Sequence, residues 1–293
     1  MVATADGREL AVQEWGDPAG RPVFYLHGTP GSRLERCVDS SALDRLGVRL
    51  ITYDRPGYGG STPRPDRTVA DVAGDTAAVA DALAVRSFGV YGASGGGPHA
   101  LACAALLGDR VDRVGCLAAV APYGPGGLAG ADWMTGMTPL NVDEFGAALA
   151  GRAALETFLK QPVETIRADP GGLVELLLAE LPAADAAVLG RPDVAAMFAE
   201  SSAESVRVTA DGWRDDDLAF TRPWGFDPAD IDLPVLVWHG DLDVLVPVGH
   251  SELLARDIPG ATFDRDPDAG HLGAIDAHPK VLSWLLDQAG TVR

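Results

Sequence analysis

The stretch Phe88–Leu101, FGVYGASGGGPHAL, constrains this chain more than any other. Phe88–Tyr91 is a short apolar run with the length and composition of a buried strand. Gly92-Ala93-Ser94-Gly95-Gly96 follows, and His99-Ala100-Leu101-Ala102 begins a helix. A strand, a tight turn and a helix with serine at the corner form the context that a G-x-S-x-G nucleophile elbow requires. The flanking glycines have a steric reason: a strained turn leaves little room for side chains two positions either side of Ser94. Pro98 falls in the first helical turn, where backbone N–H groups have no helical partner in any case. Taken alone, the pattern also fits a glycine-rich loop that merely turns or holds a phosphate. The remainder of the chain has to discriminate.

Read in order, Leu10–Trp15 and Val23–His27 are apolar runs around Gly16-Asp17-Pro18 and Gly20, a pattern that predicts an antiparallel hairpin. A helix is expected over Glu35–Leu46, a strand over Arg49–Tyr53 and an amphipathic helix over Thr68–Ala84. The elbow follows, and then another apolar strand over Val114–Ala121. Strands alternating with helices, the central strands apolar on both faces, predict an α/β fold with a mostly parallel central sheet flanked by helices. Ligands in such sheets collect at the carboxyl ends of the strands, where the loops beginning at His27, Asp54 and Ser94 should converge.

The alternation stops between about Tyr123 and Trp224. There the pattern is helical around Val142–Lys160, Glu164–Leu181 and Ala183–Ala199, with joints at Gln161-Pro162, Leu181-Pro182 and Gly190-Arg191-Pro192. Residues 1–122 and 225–293 are therefore expected to form a core, and 123–224 a helical cap inserted between two of its strands. By position this is a lid over the strand ends; a second domain with no role in the site is the alternative. Pro234–Trp238 resumes the strands, Ser251–Arg256 reads as helix, Ala261–Arg265 as a last strand and Pro279–Gln288 as a closing helix.

Composition narrows the class. The chain has 293 residues, 47% hydrophobic and spread throughout, which excludes a disordered chain. With 23 basic against 42 acidic residues the net charge is −19, so neither nucleic acid nor an anionic membrane is an expected partner. The beginning MVATADGREL lacks the basic and apolar regions of a signal peptide, and no apolar stretch is long enough to span a bilayer. Cys37, Cys103 and Cys116 match neither a disulfide framework nor a metal-ligand pattern. A cytoplasmic protein with reduced thiols, no metal and no cofactor is the expectation.

A serine hydroxyl needs a base, and the base a third group to orient it. Of the six histidines, His27 and His239 lie at strand ends before glycine and read as structural; His99 points into helix packing; His250 and His278 read as solvated or capping residues at helix starts. His271 follows the last strand in Asp268-Ala269-Gly270-His271-Leu272-Gly273, a loop able to bring an imidazole over the elbow. The orienting acid belongs after the strand that precedes the cap, where Ala119–Gly124 offers none, or after the next, where Asp241 and Asp243 stand. Asp243 is preferred because its loop, leading to Val246-Pro247, aims towards His271. The order Ser94, Asp243, His271 is one in which such triads occur. An oxyanion would be held by the backbone N–H of Gly95, at a helix N-terminus, and by that of Thr29, since Pro30 has none.

Together these residues resemble the α/β-hydrolase superfamily, as a cap-containing, esterase-like serine hydrolase. His27-Gly28-Thr29-Pro30-Gly31 is similar to that family's oxyanion loop, Asp54-Arg55-Pro56-Gly57-Tyr58-Gly59-Gly60-Ser61 to its structural D-x-x-G-x-G-x-S loop, Gly92–Gly96 to its elbow, Gly240–Asp243 to its acid loop and Gly270-His271 to its base. The resemblance implies the α/β-hydrolase fold and cleavage of a small ester or related acyl substrate through an acyl-enzyme. Dehalogenases and epoxide hydrolases of the superfamily carry aspartate where this chain has Ser94. Prolyl aminopeptidases usually have an aromatic residue where this chain has Gly95, and they recognise an amine through acidic lid residues, for which Glu175, Glu180, Glu200 and Glu204 are candidates. Another acyl transfer, C–C bond cleavage, aminopeptidase-like activity and a ligand sensor without turnover remain the alternatives. The cap's apolar residues Trp133, Met134, Met137, Leu140, Phe145, Met197, Phe198 and Trp213 favour an apolar substrate group or, for most of them, the cap's own core. Trp213–Asp217, WRDDD, could reach the pocket mouth, although a solvated turn is the preferred reading.

Overall fold

The computed structural model describes residues 1–128, 131–172, 174, 178 and 180–287. Strands β1 (Val2–Ala3) and β2 (Glu9–Leu10) form a small antiparallel ladder. The main sheet takes β3 (Val12–Gly16), β4 (Arg21–Leu26), β5 (Val48–Tyr53), β6 (Phe88–Ala93), β7 (Val111–Leu117), β8 (Val235–Gly240) and β9 (Thr262–Asp266) in the order β3-β5-β4-β6-β7-β8-β9. Every pairing in it is parallel except that of β3 with β5. The expected hairpin is thus corrected. β3 and β4 are not partners, because β5 lies between them, antiparallel to one and parallel to the other. Gly and Pro between two apolar runs signal a reversal, but they do not say which strand fills the gap.

Helices α1 (Ser40–Leu46), α2 (Val72–Ala82) and α3 (Gly96–Leu106) connect the first strands. α1 starts later than the sequence predicts: Asp39 accepts a hydrogen bond from the Ala42 N–H and fixes the start, leaving Glu35 in the preceding loop. One face of the sheet packs α2 and α3 through Phe24, Val79, Val90, Leu101 and Val237, and the other packs the closing helix through Leu50, Tyr91, Trp238, Val281 and Leu285.

Between β7 and β8 the chain forms the helical insertion: α4 (Ala131–Met134), α5 (Pro139–Ala150), α6 (Arg152–Ala168), α7 (Ala183–Leu189), α8 (Pro192–Ser205) and α9 (Asp211–Phe220). The segment read as Val142–Lys160 is two helices, broken at Gly151, and Pro162 sits inside α6 instead of ending a helix. The predicted helix Glu164–Leu181 lies partly outside the described residues. α9 was not expected at all, and it buries Trp213, Asp215, Asp216 and Asp217 instead of leaving them in a solvated turn. Two apolar clusters join the insertion to the core: Leu155, Leu159, Ile166, Trp213 and Leu218 surround Tyr58, while Leu189, Val194 and Met197 meet Leu272 and Ile275. The chain closes with α10 (Gly249–Asp257), β9 and α11 (Gly273–Leu286). α11 begins six residues before the expected Pro279 and contains it. No described helix is long and apolar enough to cross a membrane, and the three cysteines are buried and free.

The elbow depends on close approach. A methyl built on Gly92 would lie 2.2 Å from the Gly96 carbonyl oxygen, and one built on Gly96 would lie 2.0 Å from that of Leu26. Backbone cannot yield as a side-chain tip can, so Gly96→Ala is expected to destabilise the protein by about 3 kcal/mol or more. Gly146, exposed in α5 with nothing within 4 Å of its added methyl, is the converse case. Gly146→Ala should stabilise by roughly 0.5–1 kcal/mol. Urea unfolding of both variants checks the pair; a Gly96→Ala protein as stable as wild type would contradict the packing described.

Candidate active site

Ser94 directly follows β6 with φ 54°, in the left-handed region, its N–H donating to the Leu117 carbonyl at 2.8 Å and its carbonyl accepting from the Gly97 N–H at 3.0 Å. For a serine this conformation is strained and is held by the bonds on either side. Ser94 and His271 line one cavity of about 530 Å³, together with Thr29, Gly95 and residues of the helical insertion. A cavity of this size suits a small organic ligand.

His271 follows β9, and its Nδ1 is 2.7 Å from Asp243 Oδ2. The other oxygen of Asp243 accepts from the N–H groups of Leu245 and Val246 at 2.8 and 2.9 Å, and His239 Nε2 stands 3.1 Å from Oδ2. Burial opposes charge on Asp243, but His271 and His239 outweigh it and hold the carboxyl well below the usual carboxylate range. Burial likewise lowers the pKa of His271, yet the charge and hydrogen bond of Asp243, followed by Asp185, leave it raised above 6.5. Asp241, the alternative acid, turns away to pair with Arg265 at 2.8 Å.

The loop His27–Gly31 lies beside the elbow. None of the described hydrogen bonds uses the backbone N–H of Thr29 or Gly95, and both residues face the cavity. Thr29 is fixed through its side chain, whose Oγ1 donates to Asp216 at 2.9 Å. Asp216 comes from α9 and is fully buried. It also accepts from Arg55 (Nη2, 2.5 Å), Arg67 (Nη1, 2.5 Å), the Tyr58 hydroxyl at 2.8 Å and His99 Nε2 at 3.0 Å. Arg55 donates in turn to the carbonyls of His27 and Gly28. One cap carboxylate therefore holds the loop through two routes. Burial acts to raise the Asp216 pKa, but Arg55 and Arg67 dominate and keep it ionised.

A second cap carboxylate acts on the base. Asp185, from α7, accepts from the backbone N–H groups of His271 and Leu272 at 3.0 and 2.7 Å, just ahead of α11. Gly270 leaves room for it: a methyl there would stand 2.3 Å from the Asp185 carboxylate.

The remaining histidines are structural. His27 bonds to the Gly28 carbonyl and the Arg55 N–H, as a strand-end histidine was expected to do. His239 bonds to Ser251 and the Val246 carbonyl, and His99 is buried against Asp216. The solvated reading of His250 and His278 is corrected. His250 joins the Ala121 N–H to the Trp133 carbonyl, and His278 packs on Tyr25 and Tyr91; burial lowers the pKa of each to about 4. The Asp54 loop is structural too, Asp54 accepting from the backbone of Arg33 and Gly60.

Of the acidic cap candidates, Glu200 and Glu204 pair with Arg36 and Arg33 respectively, Glu180 lines the cavity, and Glu175 lies outside the described residues. Three further carboxyls enter the cavity wall, Glu35, Glu144 and Asp217; the first two are not singled out by the sequence, and Asp217 belongs to the WRDDD stretch preferred as a solvated turn. Leu140, Phe145, Met197, Phe198 and Trp213 also line the cavity, so most of the cap's apolar candidates face it instead of serving only the cap's own core.

The family model for the alpha/beta hydrolase fold matches residues 21–277. The chain belongs to the α/β-hydrolase family. It is 30% identical to a non-heme chloroperoxidase of Streptomyces lividans over 96% of both chains. It is 33% identical to a proline iminopeptidase of Xylella fastidiosa over 36% of this chain and 34% of that one. The esterase EaEST of Exiguobacterium antarcticum superposes with a TM-score of 0.68 over 97% of both chains, at 22% identity, a likeness of fold alone. The proteins that this α/β hydrolase is similar to carry names of three different activities, and they fix no substrate for it.

Removing the Asp216 carboxylate would leave Arg55 and Arg67 buried without their counter-charge. Asp216→Asn, nearly isosteric, should therefore cost about 3–5 kcal/mol. Urea unfolding at neutral pH measures this, and a loss below about 0.5 kcal/mol would show that the cluster does not hold the loop.

Proposed function

We propose that this α/β hydrolase cleaves a small ester or related acyl compound through a Ser94–His271–Asp243 triad and an acyl-enzyme. The observation that carries the reading is the 2.7 Å bond between His271 and Asp243, made at the wall of the cavity that also exposes a left-handed Ser94. Ser94 Oγ attacks the carbonyl carbon while His271 accepts its proton on Nε2. Asp243 holds the imidazole with its proton on Nδ1 and stabilises the cation that forms. The N–H groups of Thr29 and Gly95 donate to the oxyanion, each typically worth ~3 kcal/mol in the transition state. Collapse expels the alcohol, protonated by His271, and water activated by the same ring releases the acid. Every step uses side chains, backbone and water, and none calls for a cofactor. The apolar wall of Leu140, Phe145, Phe198 and Phe220 suits a hydrocarbon portion of the substrate.

Ser94→Ala is expected to lower kcat on a small activated ester by roughly 10⁴–10⁶. A fluorophosphonate should label the wild type and not this variant. Retained turnover in Ser94→Ala would remove the serine mechanism. Because the ring must be neutral to accept a proton, and its pKa is raised above 6.5, kcat/KM should fall on the acid side with its midpoint above that value. Asp243→Asn removes the charge that raises it, and should reduce kcat by about 10⁴. A wild-type profile that stays flat to pH 5 would exclude His271 as the base.

A further inference from the structure

We infer that His278, with Tyr25 and Glu35 beside it, forms a hydroxyl-binding subsite in the cavity wall, so that the acyl compound cleaved at Ser94 carries a hydroxyl group several bonds from its carbonyl. The inference rests on the serine-hydrolase reading and narrows the class of substrate it acts on.

His278, on α11, lines the same cavity as Ser94 and is only 2% exposed, yet neither of its ring nitrogens hydrogen-bonds to any described residue. The rings of Tyr25 and Tyr91 pack on it with centroids at 5.1 and 5.3 Å, and the Tyr25 hydroxyl is turned away to Glu35 at 3.2 Å. Nδ1 is sealed from solvent; Nε2 is not, and the open side of the ring is the cavity. A buried polar group without a partner costs about 1–3 kcal/mol. Phenylalanine would fill a slot between two tyrosine rings without that cost. A histidine kept there, at the edge of a ligand cavity, marks a position where the ligand supplies the partner.

The chemistry of this corner selects the partner. Burial lowers the pKa of His278 to about 4, so the ring is neutral at pH 7 and offers Nε2 as a donor or an acceptor according to its tautomer. Glu35 is already supplied with donors: Oε2 accepts from the Gly28 N–H at 2.9 Å and from Tyr25, and Oε1 from Ser201 Oγ at 3.3 Å. Its carboxyl disfavours an anionic group in the same corner, and an uncharged ring gives an ion nothing to offset its lost hydration. A hydroxyl group both donates and accepts, so it meets Nε2 in either tautomer and carries no charge into the wall.

The subsite stands close to the nucleophile. A methyl built on Gly28 would lie 3.7 Å from Glu35 Oε2 and 3.8 Å from Ser94 Cβ, so both groups border one small space, and Tyr25 links that carboxyl to the His278 ring. An extended chain covers roughly 3.5 Å for every three bonds, so one of about six bonds spans ~7 Å, the scale of this relay. Leu272, Ala274 and Ile275, which precede His278 in the cavity wall, give such a chain an apolar surface to lie on.

Two isosteric pairs of esters test the subsite: methyl 6-hydroxyhexanoate against methyl heptanoate, with the hydroxyl on the acyl side, and 4-hydroxybutyl acetate against pentyl acetate, with it on the alcohol side. In one pair the hydroxy ester should have the higher kcat/KM in the wild type. His278→Phe should lower the hydroxy-to-alkyl ratio of that pair about 10-fold, the value of one hydrogen bond, and His278→Gln, whose amide restores a donor and an acceptor, should recover part of it. Binding without turnover is read by nitrogen-15 NMR of the Ser94→Ala protein labelled at histidine, where a hydroxy ester should shift the His278 Nε2 signal and its alkyl partner should not. Hydroxy esters disfavoured in both pairs, or a ratio that His278→Phe leaves unchanged, would overturn the subsite. Should His278→Phe fail to fold, the Nε2 signal decides alone. That shift, with none of the four esters hydrolysed by the wild type, would uphold the subsite and refute the hydrolase reading.

Discussion

The structure hangs on one buried carboxylate. Asp216 belongs to the inserted helices, yet its partners Thr29, Arg55, Tyr58, Arg67 and His99 all belong to the core. Two guanidinium groups and a carboxylate removed from water are tolerable only while they face each other. The insertion is therefore tied to the oxyanion loop by charge as well as by apolar packing. Asp185 repeats the arrangement on the other side of the cavity, gripping the backbone of His271 and Leu272. Both walls of the candidate site are held by carboxylates that the cap supplies. A lid so attached cannot swing as a free flap without breaking the contacts that shape the site beneath it.

The same residue type serves opposite ends here, and environment decides which. Asp216 and Asp243 are kept ionised because arginines or histidines face them. Asp217, adjacent in sequence to Asp216, meets another acid instead, and its pKa rises. Glu35, buried between Tyr25, the Gly28 N–H and Ser201, is raised by burial despite three donors. In a chain of net charge −19 most acids are solvated and merely confer solubility. The few that are buried around one cavity set its charge, and their effect does not scale with the total.

Much of this was legible beforehand for local reasons. Ser94 sits in a pattern whose first glycine is required from within the window, Gly92 lying against the Gly96 carbonyl, whereas Gly96 is required by the Leu26 carbonyl of another strand. Asp243 and His271 stand at strand ends, where a parallel sheet exposes its loops, and their bond follows from topology. The strand pairing of β3 was misread because a partner 40 residues away, β5, takes the place of the next strand in sequence. His250 and His278 were misread because a histidine at a helix start looks solvated until another element covers it. WRDDD was misread for the same reason on a larger scale: three consecutive aspartates score as surface, and nothing nearby reveals that Arg55 and Arg67, more than 140 positions earlier, are waiting for the middle one.

The sequence by itself determined the alternation of strands and helices, the strained serine corner and the strand ends from which an acid and a base could reach it. These depend on periodicity, chain stiffness and sterics, which act over a few residues. Only the tertiary structure decided which acids are buried, which of them face cations and which face each other, and which side chains close the cavity. Those outcomes depend on desolvation and Coulomb pairing between segments far apart in the chain, and neither has a local signature.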